Sequence, residues 1–356
     1  MKIGILTFPL INNYGGILQA FAMMKLIKSL GHEPVLVNLK YSHNFKIYTK
    51  YFIKKYILFF MKKYKSASLF KQNKNTKYFV DNYINPKTEP IYTTNELVKI
   101  LNNSNFDACV VGSDQVFSSM SGIGFKDIYS LGFVDNIIKI AYAGSFGGDF
   151  FKGKNINLHS QNLKKFKAIS VREQSGIEVC KKTFGVEAQH VLDPTMMIDK
   201  KEYEMLFENL PTKTKGKIFA YILDKNSDKN AMLKRFAKEQ KLEIYEINDG
   251  NTAKNIISPI EWMKAIYDAK IVITDSFHGC VFSIIFNKPF FAFVNEMRGN
   301  ARFESLFGMF ELKDRIINSS DNINLKNEIN YAKINKILSE KKEFSVNFII
   351  ENLRKN

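Results

Sequence analysis

Short hydrophobic runs recur along the whole chain, and most are followed by a polar or glycine-containing cluster. The runs that resemble strands, rich in β-branched and aromatic residues, lie at residues 2–7, 34–39, 106–111, 139–143, 167–171 and 188–192, and again at 217–223, 242–247, 271–274 and 290–294. Helical periodicity fills several of the intervals, including residues 17–30 and 227–240. Strands that alternate with helices in this way predict an α/β protein with parallel sheets.

The alternation is interrupted once, at a polar and turn-forming segment, residues 209–216 (NLPTKTKG). This segment predicts a boundary between two successive α/β domains, residues 1–208 and residues 217–328. A charged helical stretch, residues 329–356, follows the second domain, and we expect it to pack back on the first. At 356 residues, the chain is long enough for two domains of ordinary size, each with its own core.

One β-α-β stretch, residues 271–290 (IVITDSFHGCVFSIIFNKPF), places ionisable side chains at the carboxyl end of its first strand. Ligands of open α/β sheets bind at such strand ends, beside the amino terminus of the following helix. His278 falls on the first helical turn, and Gly279 lets a ligand approach the backbone. The alternative is a simple capping cluster, in which Asp275 or Ser276 caps the helix and His278 only packs.

A second polar cluster, Asn12-Asn13-Tyr14-Gly15-Gly16, follows the first predicted strand and precedes the first predicted helix. It lacks the G-x-G-x-x-G spacing of dinucleotide-binding proteins. The two glycines indicate either close packing of helix on strand or a loop that contacts a ligand. The polar neighbours have no evident role in a core, which favours the ligand loop.

Three further strand ends carry polar side chains. Ser113, Asp114 and Gln115 follow the strand at residues 106–111, Ser145 follows residues 139–143, and Arg172 follows residues 167–171. We interpret Ser113 and Gln115 as hydrogen-bonding groups for a sugar. Asp114 is either a second acid–base group or a helix cap.

The remaining candidates for chemistry are few. Cys109, Cys180 and Cys280 are scattered, which indicates small buried side chains and a reducing cytoplasm. No C-x-x-C, H-E-x-x-H or paired-aspartate motif is present, so we predict no metal site. Asp193, which precedes Pro194, is expected to fix a turn.

The net charge of +17 is concentrated in residues 41–80, which hold ten lysines and no acidic residue. Lysine pairs alternate there with aromatic residues, as at Lys54-Lys55 and Lys62-Lys63. This composition suits either peripheral contact with an anionic membrane or a helical cap with a solvated lysine face. Nucleic-acid binding is a weaker alternative, because the lysines lie in one segment and no recognition module is evident. No run of 18 or more apolar residues is present, so we expect no membrane-spanning helix, and we interpret the amino terminus as the first strand rather than a signal peptide.

Eight motifs, in order, resemble the polysaccharide pyruvyl transferase family over nearly the whole chain. They are NNYGGILQAFAM, DACVVGSDQVF, AYAGSFG, ISVREQSG, VLDPTMM, SPIEWM, TDSFHGCVFSIIFNKPF and NARFESLFGMFELKDR. The resemblance implies two Rossmann-like domains that face a cleft, similar to the GT-B glycosyltransferase architecture. It also implies transfer of a pyruvyl group from phosphoenolpyruvate, a donor substrate rather than a cofactor, to a cell-surface glycan or its lipid-linked precursor.

The resemblance further implies roles for individual residues. His278 matches the proposed catalytic histidine, and Arg172 matches a proposed phosphoenolpyruvate ligand. Some branches of the family have an arginine where this chain has Ser276, and we expect Arg298 or Arg302 to supply that charge. The alternative on the same scaffold is a glycosyltransferase that uses a nucleotide sugar.

Overall fold

A computed structural model describes residues 1–41, 73–121, 125–247, 256–294, 300–321, 323 and 327–354. Six parallel strands form the first sheet, in the order β2-β1-β3-β4-β5-β6. They are β1 (Lys2–Leu6), β2 (Glu33–Leu36), β3 (Ala108–Val111), β4 (Ile138–Gly144), β5 (Ala168–Val171) and β6 (Gln189–His190). This sheet is the centre of the first predicted domain.

A second sheet of five parallel strands has the order β11-β10-β9-β7-β8. Its strands are β7 (Ile218–Tyr221), β8 (Ile244–Ile247), β9 (Ile271–Thr274), β10 (Phe290–Phe293) and β11 (Ile316–Ile317). No antiparallel strand pair joins either sheet within the described ranges. The fold class is therefore the predicted one, α/β with two parallel sheets.

Helices connect the strands and cover both sheets. They are α1 (Tyr14–Ser29), α2 (Lys74–Tyr83), α3 (Thr94–Asn103), α4 (Ile156–Leu163), α5 (Ser175–Val179), α6 (Lys200–Phe207), α7 (Ser227–Gln240), α8 (Pro259–Asp268), α9 (Phe277–Ile285), α10 (Asn300–Met309) and α11 (Tyr331–Leu353). The basic segment at residues 41–80 falls mostly outside the described residues, and α2 covers its end.

Helix α1 lies at the junction of the two halves. It is apolar on nearly every side, and an α-helix with that pattern is stable only when protein surrounds it. The Tyr14 hydroxyl donates to the carbonyl of Ile257 at 2.7 Å, and its ring packs 5.7 Å from that of Trp262 in α8. The helix begins at Tyr14 rather than at residue 17, so Gly15 and Gly16 belong to its first turn and not to a preceding loop.

Helix α11 contacts both halves. At its start, the Tyr331 hydroxyl donates to the carbonyl of Lys288, in the second half. Towards its end, the ring of Phe348 lies 6.2 Å from that of Tyr142 in β4. The carboxyl-terminal stretch is thus one continuous helix laid against the first sheet.

Candidate active site

A cavity of about 280 Å³ lies at the carboxyl ends of strands from both sheets. The first half contributes Asn13, Asp114, Gln115, Ser118, Phe146, Gly147 and Lys152, and the second half contributes Leu223, Asp275, Ser276, Phe277, His278, Arg302 and Phe303. Parallel strands all end at the same edge of a sheet, so polar residues that follow different strands meet there. Among the described residues, the cavity brings together an imidazole, carboxylates and the cationic side chains of Lys152 and Arg302.

His278 lies on the first turn of α9. The Ser276 hydroxyl caps this helix by accepting from the backbone N–H of Gly279 at 3.3 Å, which fixes the turn that carries the histidine. The same bond occupies the Gly279 N–H, and Gly279, where the sequence predicts close approach of a ligand, is not among the described residues that line the cavity. Asp275 supports the turn from the other side, because its carboxylate accepts from the backbone N–H of Leu223 at 2.6 Å and from Lys229 at 2.8 Å.

The imidazole of His278 packs directly on the backbone of Gly15. A Cβ atom at position 15 would lie 2.0 Å from Nδ1 of His278 and 2.3 Å from Cγ. Both are far inside van der Waals contact, so only glycine permits the observed ring position. The neighbouring Gly16 similarly leaves room for the side chains of Asn13 and Asp114, at 3.0 and 3.2 Å from a Cβ atom there.

Asp193 contacts the other nitrogen of the imidazole. Its Oδ2 lies 3.5 Å from His278 Nε2, which is buried. Its Oδ1 accepts from both the N–H and the hydroxyl of Thr195, so the aspartate also fixes the turn that the sequence indicated. Burial by itself raises the pKa of Asp193, but the nearby His278 and Arg172 lower it below its ordinary value. The carboxylate is therefore held in its charged form beside the histidine.

Arg172 follows β5 and lies behind the cavity wall. Its Nη1 donates to Asp193 Oδ2 at 2.9 Å, and its Nη2 lies 3.6 Å from Asp114 Oδ1. Burial lowers the pKa of Arg172, but the carboxylates of Asp193, Asp114 and Glu173 raise it above its ordinary value. Arg172 is not among the described residues that line the cavity.

Asp114 and Gln115 lie on the cavity wall, as the sequence predicts. Asp114 has a left-handed backbone conformation, with φ of 70°, and its Oδ1 accepts from the N–H of Gln115 at 2.9 Å. Its Oδ2 accepts from Asn13 Nδ2 at 3.4 Å. Asp114 therefore lies between the side-chain amide of Asn13, which faces the cavity, and the guanidinium of Arg172, behind the cavity wall.

Three residues predicted to contact a ligand have other roles. Tyr14 is fully buried in the contact between the two halves, as described above. The hydroxyl of Ser113 donates to the carbonyl of Ala143 at 3.0 Å, and that of Ser145 donates to Glu173 Oε1 at 3.1 Å. None of the three lines the cavity in the described part of the chain, because each is used to build its wall.

The sequence does not identify three residues of the site. Asp193 contacts His278, Glu173 holds the loop that contains Ser145, and Lys152 lines the cavity. Glu173 is fully buried, and its Oε1 accepts from the N–H groups of Phe146 and Gly147 as well as from Ser145. Burial raises the pKa of Glu173, against the opposing effect of Arg172. The detectable signal was position, since Asp193 and Glu173 both follow closely on a strand. Arg298 lies outside the described residues.

No group of three or more His, Cys, Asp or Glu side chains could hold a metal ion among the residues that the structure describes. No described helix combines the length and the apolar character needed to cross a bilayer.

A family model described as polysaccharide pyruvyl transferase matches residues 13–296, most of the chain. These residues include every cavity-lining side chain named above except Arg302 and Phe303. A search among curated proteins finds no match.

Solved structures resemble the fold at low sequence identity. The UDP-GlcNAc 2-epimerase of Methanocaldococcus jannaschii has a TM-score of 0.52 at 12% identity, with 99% of this chain and 99% of that chain covered. A protein from Listeria monocytogenes described as a putative UDP-N-acetylglucosamine 2-epimerase has a TM-score of 0.50 at 10% identity, with 98% and 94% covered. At this identity the likeness concerns the fold alone, which is the predicted GT-B-like arrangement of two Rossmann-like domains.

Proposed function

The chain belongs to the polysaccharide pyruvyl transferase family, and we propose that it transfers the pyruvyl group of phosphoenolpyruvate to two hydroxyls of a glycan as a cyclic ketal. The acceptor is a cell-surface polysaccharide or its lipid-linked precursor. The observation that carries the proposal is the position of His278, a histidine on the cavity wall between Gly15 and the charged carboxylate of Asp193. Phosphoenolpyruvate is a substrate, and the proposed reaction uses no cofactor.

Ketal formation requires several proton transfers. A proton adds to the methylene carbon of the enol, and one sugar hydroxyl adds to the central carbon and loses its own proton. The bond to the phosphate oxygen then breaks, phosphate leaves, and a second hydroxyl adds with loss of its proton. A histidine suits this sequence, because imidazole both donates and accepts protons near neutral pH.

We assign the two nitrogens of His278 to different tasks. Nε2 is buried beside Asp193 Oδ2, and we assign Nδ1, on the side of the ring that meets Gly15, to the substrate. The carboxylate fixes the orientation of the ring. Asp114, also on the cavity wall, is the group that we assign to the acceptor hydroxyl, where it orients the hydroxyl or takes its proton.

The test is incubation of the protein with phosphoenolpyruvate and a panel of free and lipid-linked glycans, followed by mass spectrometry. We expect a product with the mass of a ketal and release of phosphate without release of a nucleotide. His278→Ala is expected to lower turnover by about 10²–10⁴-fold, the usual contribution of a general acid–base group. His32→Ala, which changes a histidine in a separate groove, serves as the matched control.

Two outcomes would contradict the proposal. Unchanged turnover in His278→Ala would remove that residue from the mechanism. Nucleotide release from a nucleotide sugar, without ketal formation, would favour the glycosyltransferase that shares this scaffold.

We also propose that the protein is cytoplasmic and that residues 41–80 contact the inner face of the membrane. A lipid-linked acceptor would lie at that face. The support is the ten lysines and many aromatic residues of that segment. Co-sedimentation with vesicles of anionic and neutral lipid tests this. Substitution of Lys54, Lys55, Lys62 and Lys63 by glutamine is expected to abolish the preference for anionic vesicles. An unchanged preference would refute the contact.

A further inference from the structure

Two guanidinium groups lie near one aromatic ring at the cavity and both lower the pKa of the buried Glu173, but they differ in their access to the cavity. The guanidinium carbon of Arg172 lies 4.6 Å from the centre of the Phe277 ring, and that of Arg302 lies 5.7 Å from it. Only Arg302 is among the described residues that line the cavity. The side chain of Arg172 is 1% exposed and contacts two carboxylates.

The charge of Arg172 is already opposed within the protein. The guanidinium donates to Asp193 at 2.9 Å and lies 3.6 Å from Asp114, and both carboxylates are themselves nearly buried. The Nε and Nη2 atoms of Arg172 have no hydrogen-bond partner among the described residues, but a donor anion placed there would lie beside these two carboxylates, which would repel it.

A second cationic side chain, Lys152, lines the cavity from the first half. It lies in the segment after β4, where its backbone N–H donates to the carbonyl of Ser118 at 3.1 Å. Arg302 comes from α10 in the second half, so among the described residues each half contributes one cationic side chain to the cavity. A doubly anionic donor fits between them, because a guanidinium binds a carboxylate or phosphate through two parallel hydrogen bonds and an ammonium binds phosphate as a point charge.

We propose that Arg302 and Lys152 bind the phosphate and carboxylate of the donor, and that Arg172 is a positioning residue that acts on His278 through Asp193. The inference rests on the proposed function, since it takes phosphoenolpyruvate as the donor. Arg172 Nη1 and His278 Nε2 both approach the same oxygen, Asp193 Oδ2, at 2.9 and 3.5 Å. Arg172 therefore determines where the carboxylate holds the imidazole.

Direct binding and turnover distinguish the two roles. Titration calorimetry with phosphoenolpyruvate is expected to show about 10- to 100-fold weaker binding for Arg302→Ala and for Lys152→Ala, the usual loss when a charged hydrogen bond is removed. Their KM for the donor is expected to rise by a similar factor, and Arg302→Lys recovers part of the loss. Lys154→Ala is the matched control for Lys152, because Lys154 lies in the same segment but faces a different surface depression.

Arg172→Lys is expected to bind phosphoenolpyruvate within about threefold of the wild type but to lower kcat by about 10²-fold, the effect of a misplaced catalytic group. Asp193→Asn is likewise expected to lower kcat while its KM for phosphoenolpyruvate stays near that of the wild type. Circular dichroism confirms folding, and if Arg172→Lys fails to fold, the double variant Arg302→Ala/Lys152→Ala decides the question.

The outcomes separate this inference from the proposed function. Wild-type affinity for the donor in the double variant, or loss of donor binding in a folded Arg172→Lys with kcat unchanged, overturns the inference while ketal formation by the wild type still supports the proposed function. If the wild type neither binds phosphoenolpyruvate nor forms a ketal, both the inference and the proposed function are overturned.

Discussion

Substitution of Gly15 by alanine perturbs the proposed catalytic histidine without changing any ionisable group. The new methyl carbon would lie 2.0 Å from Nδ1 of His278, 2.3 Å from Cγ and 2.6 Å from Cε1. Favourable contact between such atoms needs about 3.5 Å, so the ring must retreat by about 1.5 Å. That movement changes the contact of Nε2 with Asp193, now 3.5 Å.

Two opposing effects determine the stability of Gly15→Ala. Overpacking of a buried site costs about 1–3 kcal/mol, whereas alanine is favoured over glycine within a helix by about 1 kcal/mol. The net cost is therefore about 0–2 kcal/mol, and we expect the variant to fold. Turnover is expected to fall by about 10²-fold, because a displacement of about 1 Å suffices to misalign a catalytic group.

The assay combines urea unfolding with ketal formation from phosphoenolpyruvate. Gly308→Ala is the control, since a Cβ atom there meets nothing within 4 Å and α10 gains helix propensity. In a His278→Ala background the clash is absent, so Gly15→Ala is expected to become neutral or stabilising, with a coupling of about 1–3 kcal/mol between the two positions. Wild-type turnover in Gly15→Ala, or additive stability effects, would refute the proposed contact between ring and backbone.

Three further predictions concern residues around the site. Tyr14→Phe removes the hydrogen bond to Ile257 and is expected to lower the free energy of unfolding in urea by about 1 kcal/mol. Turnover is expected to stay at the wild-type level, and a large loss of turnover would contradict the structural role of this tyrosine. Asp193→Asn leaves Arg172 buried beside a neutral partner, so we expect unfolding to become easier by about 3–5 kcal/mol, and an unchanged denaturation midpoint would show that the ion pair is dispensable. Burial lowers the pKa of His159 below its ordinary value of 6.5, so its proton binds preferentially to the unfolded chain and stability is expected to fall as the pH drops below about 6.5. His159→Gln is expected to reduce that pH dependence, and equal slopes for both proteins between pH 7.5 and 5.5 would exclude the effect.

The sequence predicts the location of the site better than it predicts which residues line it. Asp114, Gln115, Ser276 and His278 each follow a strand, and parallel strands bring such residues together whatever the details of packing. The prediction therefore depended only on periodicity and local order along the chain.

The errors concern contacts between residues far apart in sequence. Tyr14 and Ser113 stand beside true cavity residues, but their hydroxyls are oriented towards Ile257 and Ala143. The sequence predicts that Asp193 fixes a turn, and one of its oxygens does so, but the other faces Arg172 and His278 from different elements. Local sequence indicates that a side chain is polar and near a strand end, but not which long-range partner it meets.

The imidazole and its carboxylate come from opposite halves of the molecule. Asp193 and Gly15 belong to the first half and His278 to the second, so the proposed acid–base unit exists only while the halves are docked. An increase in their separation of even 2 Å would leave the carboxylate too far away to orient the ring. In the proposed reaction, any motion that admits a large glycan must therefore restore this alignment before proton transfer begins.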